Sequence, residues 1–165
     1  METIAVYWEP KIRIYGLTTK TGLSLYSLIF PVDRLSYWGE IVKNLEEQGR
    51  EFELVNLQTA SATTMLLCLL PASRAQGSDI RTILEASAEN EKVTYLQVTA
   101  PVELIYLHGP HFQDRYGIAE AALTPLNKAH ISILSAGCAG TSVYIAVNEQ
   151  RSQEAVACLS ETFVL

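Results

Sequence analysis

Residues Tyr116 to Val147 read YGIAEAALTPLNKAHISILSAGCAGTSVYIAV. A glycine opens a helix whose apolar face is Ile118, Ala121, Ala122 and Leu126. An alternating strand through Ile131 and Ile133 follows, then a turn bracketed by Gly137 and Gly140, then a second strand. Ahead of this stretch, Val102 to Leu107 is a β-prone run. Behind it, Ala155, Val156, Leu159 and Phe163 fall on one face of another helix. The order is β-α-β-β-α, one strand short of a βαββαβ unit.

The rest of the chain repeats that order imperfectly. Lys11 to Leu17 alternates polar and apolar, Thr18 to Gly22 reads as a turn, and Leu23 to Phe30 returns, which predicts a hairpin. Asp33 to Gly49 is a helix with Leu35, Trp38, Ile41, Val42 and Leu45 on one face and Gly49 as its stop. Glu51 to Gln58 and Thr63 to Leu70 are strands, the second buried on both faces. Ser78 or Asp79 caps a helix running through Ala88, and Val93 to Val98 is a further strand. The unassigned strand is Thr3 to Tyr7, cut off by Glu9-Pro10, and it is expected to complete the second sheet. The predicted class is α+β, with two ferredoxin-like βαββαβ modules in tandem. The first spans 11–98 with an inserted hairpin at 18–34; the second joins 2–8 to 99–165.

Gly117-Ile118, the helix ending in Leu126, Ala129-His130-Ile131-Ser132-Ile133, the hairpin and the closing Ala155-Val156-Ala157-Cys158-Leu159-Ser160-Glu161-Thr162-Phe163 resemble the ACT domain family. The nearest likeness is to the second of two tandem ACT domains in the regulatory region of aspartokinases. That pattern has Pro-Gly at the helix start and Gly-Ile-Asn-Ile in the next strand, where this chain has Tyr116-Gly117 and, by the sequence reading, His130 in place of Asn. Ile4-Ala5 and Lys11-Ile12-Arg13-Ile14 fall where that family's first strands stand. The first half departs further, with Leu35-Ser36 in place of Pro-Gly and Gly49-Arg50-Glu51-Phe52 in place of Gly-Ile-Asn-Ile. The run Leu23 to Arg34 stands in place of the effector loop. The resemblance implies a tandem ACT regulatory protein that senses a small amino acid and controls a partner enzyme, without the kinase domain.

Composition sets independent bounds. The 165 residues are 48% hydrophobic, enough for packed cores. A formal charge of −6 with scattered Lys and Arg argues against nucleic acid. Three cysteines, Cys68, Cys138 and Cys158, lie far apart and read as reduced core thiols. The amino terminus lacks the pattern of a signal peptide, and apolar runs stay short of a membrane span, so a cytoplasmic location without membrane attachment is expected. Phosphate-loop and catalytic motifs are missing, so the expectation is a non-enzyme with no cofactor.

The polar stretch of most interest is His108-Gly109-Pro110-His111-Phe112-Gln113-Asp114-Arg115-Tyr116-Gly117, which joins a strand to a helix start. Backbone N–H groups there lack intrahelical acceptors and sit at the positive end of the helix dipole, which suits a carboxylate. The expected amino-acid site is Asp114, Arg115, Tyr116, Gly117, Ile118, His130 and Ile131, with Asp114 taking the ammonium group. The chain is expected to form a homodimer, because ferredoxin-like sheets leave edge strands open. Two other readings stand beside this one: a ligand-free dimerisation module, and a small metal-dependent enzyme using His108, His111 and Asp114.

Overall fold

A computed structural model describes residues 11–71, 77–90, 93–110, 112 and 116–165. Its elements are β1 (Ile12–Arg13), β2 (Gly16–Pro31), a 3-10 turn (Val32–Arg34), α1 (Leu35–Glu47), β3 (Leu54–Ala60), β4 (Thr63–Pro71), α2 (Gly77–Asn90), β5 (Tyr95–His108), α3 (Ile118–Lys128), β6 (Ile133–Ala139), β7 (Ser142–Asn148), α4 (Ser152–Ser160) and β8 (Phe163–Val164). The main strand order is β3-β4-β2-β5-β7-β6, and β1 pairs with β8 in parallel. The fold class is therefore α+β, as the sequence predicts. The chain divides into two compact units, one of Gly22–Val102, the other of the described residues up to Thr21 together with Glu103–Leu165. The strands β2 and β5 contribute residues to both.

Within Gly22–Val102 the chain runs β2-α1-β3-β4-α2-β5 and the strands order as β3-β4-β2-β5, which is a ferredoxin-like βαββαβ unit. Tyr26, Leu28 and Phe30 of β2, Leu66, Cys68 and Leu70 of β4, Trp38 and Leu45 of α1, and Ile80 and Leu84 of α2 form its core. Those residues recur at spacing two on strands and at helical spacing on the helices, so one face of the sheet is covered by helices. Trp38 stacks on Phe30 at 5.5 Å between ring centroids.

In the other unit β5-α3-β6-β7-α4 gives the strand order β2-β5-β7-β6, so the position beside β5 is filled by the Gly16–Thr21 portion of β2. Ile105 and Leu107 of β5, Ile118, Ala122 and Leu126 of α3, Val143, Ile145 and Val147 of β7, and Ala155 and Leu159 of α4 make the core, joined by Phe112, Ile131 and Phe163. The expected strand Thr3 to Tyr7 lies outside the described residues.

Two expectations are corrected. The inserted hairpin at 18–34 does not form; residues 16–31 are one strand. Gly22 takes a positive φ of +67 inside it, so the chain accommodates the glycine without reversing. The predicted strands 93–98 and 102–107 are likewise one strand, β5, running through Pro101.

Both units stop their first helix the same way. In α1 the N–H of Gly49 (φ +78) reaches Glu46 O and that of Arg50 reaches Leu45 O, at 2.9 and 3.0 Å. In α3 the N–H of His130 (φ +53) reaches Asn127 O and that of Ile131 reaches Leu126 O, at 3.0 and 2.9 Å. Each is a Schellman motif, a left-handed residue closing a helix with a 6→1 bond. His130 is thus the structural equivalent of Gly49 and does not stand at the Asn of the family pattern, as the sequence reading had it.

Candidate functional site

The start of α3 is built around Gly117. Its φ of +83 is left-handed, its carbonyl accepts the first helical bond from Ala121 N–H at 2.8 Å, and as the N-cap residue it has no side chain of its own with which to cap the helix. A Cβ at Gly117 would meet nothing within 4 Å, so glycine is needed for its backbone angle and not for clearance. The first N–H groups of the helix have no acceptor within it and sit at the positive end of its dipole.

Gly117 opens onto a groove of about 630 Å³ between α3 and the end of α4, lined by Glu120, Ala121, Thr124, Pro125, Lys128 and Ala129 on one side and Cys158, Glu161 and Thr162 on the other. Its charges are mixed: Glu120 lies in the first turn of α3, Lys128 in the last, and Glu161 across from them. Pro125 has no N–H and cannot close the helical bond to the Ala121 carbonyl, which leaves that oxygen for another donor. Donors at the helix start and charges of both signs along the groove suit a small zwitterion.

The far wall is held in place by a residue the sequence reading passed over. Glu103 on β5 is only 7% exposed, and its Oε2 accepts from the Ser152 N–H at 2.8 Å. The α4 helix has no capping side chain at Arg151, so Glu103, 49 residues away in sequence, serves as its cap. Burial is the largest influence on its pKa and raises it. Hydrogen bonds from the Ser152 hydroxyl and from the N–H groups of Ser152, Gln150 and Arg151 together outweigh burial and hold the carboxyl below its usual range.

Of the expected site residues, Tyr116 is 99% exposed beside Gly117, whereas Ile118 and Ile131 spend their side chains in the core. His130 keeps an exposed imidazole on its helix-stopping turn, and neither it nor Ile131 lines the groove. Asp114, Arg115 and His111 lie outside the described residues. His108, a member of the expected metal set, has Nδ1 within 3.0 Å of Ser142 Oγ and 3.3 Å of Thr141 Oγ1. That contact ties the end of β5 to the β6–β7 turn. Among the described residues no group of three His, Cys, Asp or Glu is placed to hold a metal.

The cysteines are free, but only Cys68 is a core thiol. Cys138 is exposed at the end of β6, and Cys158 is half-buried on α4, where it packs at the margin of the core and lines the groove. Gly137, read as bracketing the turn with Gly140, is an ordinary strand residue on which the Tyr144 ring directly opposite lies, leaving no room for a Cβ. Among the described residues no helix is long and apolar enough to cross a membrane.

No protein-family model matches the chain, and no curated protein matches it in sequence. Solved structures do match in fold. The ligand-free regulatory subunit of aspartate kinase from Thermus thermophilus aligns with a TM-score of 0.75 at 8% identity, over 92% of this chain and 99% of that one. The regulatory subunit of aspartate kinase from Thermus flavus gives 0.76 at 8% identity, over 90% and 97%. Aspartate kinase from Synechocystis gives 0.77 at 13% identity, over 94% of this chain but 27% of that one. The chain thus has the fold of the aspartokinase regulatory subunits, matched over nearly their whole length.

Proposed function

We propose that this chain is a regulatory protein with tandem ACT-like units that binds a small amino acid, works as a homodimer and controls a partner enzyme rather than catalysing a reaction itself. The observation that carries the reading is the start of α3, whose N-cap residue Gly117 brings no capping side chain, opening on a groove with charges of both signs. The ligand carboxylate meets the N–H groups of Tyr116, Gly117 and Ile118. Its ammonium group meets Asp114, as the sequence reading has it, with the groove residues Glu120, Lys128 and Glu161 beside the ligand in place of His130 and Ile131. The regulatory fold supports the absence of chemistry of its own.

The test is a thermal-shift screen of the twenty amino acids at millimolar concentration. A ligand that binds only the folded state raises the midpoint, by about 2.7 kcal/mol of stability at a hundredfold excess over Kd. One or a few amino acids should shift it. A flat screen would refute sensing and leave a dimerisation module.

A further inference from the structure

We infer that the Gly22–Val102 unit binds a phosphate group at one end of its core, where Arg50 and Arg81 flank the hydroxyls of Ser24 and Tyr26. The amino-acid site proposed above lies in the other unit, so the two readings stand or fall separately. Ser24 and Tyr26 begin the core segment of β2 and are 7% and 2% exposed. Their spacing of two puts both on one face of the strand, the face on which Tyr26 packs in the core with Cys68, Ile80 and Leu84. A hydrogen bond joins the two side chains.

The two units fill this position differently. In each, the strand that leads to the first helix carries three buried residues at spacing two, Glu103, Ile105 and Leu107 on β5 and Tyr26, Leu28 and Phe30 on β2. Tyr26 thus stands where Glu103 stands. Glu103 brings a buried carboxylate to the N–H groups of residues 150–152. The segment Gly22–Pro31 of β2 brings hydroxyls and no charge, and the charges gathered around them are cationic.

Arg50 follows Gly49 at the end of α1, where its N–H bond to Leu45 O at 3.0 Å fixes its backbone. Arg81 sits on α2 beside the buried Ile80. Burial is the largest influence on the Tyr26 pKa and raises it, while the Ser24 hydrogen bond and then the charges of Arg81 and Arg50 act the other way, so both cations reach the phenol. Arg81 gives its Nε–H to Glu85 at 2.7 Å, a bond that uses one of the five N–H donors of its fork and orients the rest. Two guanidinium forks and two hydroxyls offer more donors than a carboxylate has oxygens to accept them. They suit the three or four acceptor oxygens of a phosphate group, which arginine engages through paired bonds. Glu85 is the internal competitor for Arg81.

The experiment is calorimetric titration of the intact chain with inorganic phosphate and with glycerol phosphate, at constant ionic strength, on wild type, Arg50→Gln, Arg81→Gln and Glu85→Gln. The wild type should bind saturably, and each arginine variant should bind about tenfold or more weakly, as expected for losing a charge-assisted contact. Glu85→Gln should bind more tightly, because it releases Arg81, and a variant that was merely destabilised would not gain affinity. Tighter binding of the ester than of inorganic phosphate supports the site and names a phosphorylated metabolite as its ligand. Equal binding supports it with free phosphate as the ligand. The inference is overturned if the wild type gives no saturable heat with either anion, or if both arginine variants keep wild-type affinity, and neither result bears on the groove beside α3.

Discussion

Replacing Glu103 by Ala removes a buried carboxylate that accepts hydrogen bonds from Ser152, Gln150 and Arg151 at the start of α4. The N–H groups it leaves behind stay buried, since Ser152 is only 4% exposed. Losing a helix cap costs about 0.5–2 kcal/mol, and losing a hydrogen bond to a charged group about 1.5–3 kcal/mol. The two descriptions overlap, so the expected loss is about 2–3 kcal/mol, or roughly 4–12 °C in Tm for a chain of this size. Glu103→Gln keeps one acceptor and should lose about half as much. The pH dependence has a definite sign. The folded pKa lies below the ordinary glutamate value, so the unfolded chain binds more protons between the two. The contribution is full above a pH of about 4.3 and is lost as pH falls through the folded pKa. Thermal melts at pH 7, 5, 4 and 3 should therefore show a constant gap between wild type and Glu103→Ala down to pH 5 and a shrinking gap below. A variant within 1 °C of wild type at pH 7, or a gap that widens in acid, would refute the capping account.

Three further outcomes follow from single sites. His130→Gly should raise stability by about 1 kcal/mol in urea unfolding, because a left-handed position costs a side chain roughly that much. Gly137→Ala should cost about 1–3 kcal/mol by forcing the Tyr144 ring aside, and adding Tyr144→Ala should recover part of that loss in a double-mutant cycle. A thiol reagent at pH 8 should modify Cys138 quickly and Cys68 only after denaturation, since burial pushes the Cys68 thiol up to about 12.

Much of the fold was legible because burial writes a period into the chain. Ile118, Ala122 and Leu126 on α3, and Trp38 and Leu45 on α1, are spaced for one buried helix face, and all five are in the cores. The strand through Thr18, Thr19 and Lys20 was not, because those residues are exposed and polar and their only structural signal is backbone pairing. Gly22 added a turn-like cue that the strand absorbs. At the site, Gly117 was legible as a helix start, since uncapped N–H groups follow from any helix. The groove wall of Cys158, Glu161 and Thr162, and the Glu103 cap, were not, because residues that meet only through the fold leave no pattern along the chain. His130 was misassigned by alignment to a motif; its φ, which sequence does not print, decides its role.

The central claim is that the start of α3 receives an amino acid, and calorimetry on wild type and Asp114→Ala with the amino acid that shifts the melt most tests it directly. The account predicts saturable binding to the wild type, weakened about tenfold or more in the variant, as expected for the loss of one charge-assisted hydrogen bond. Equal affinity in both would place the ligand elsewhere, and the absence of heat with every amino acid would contradict the sensing function itself.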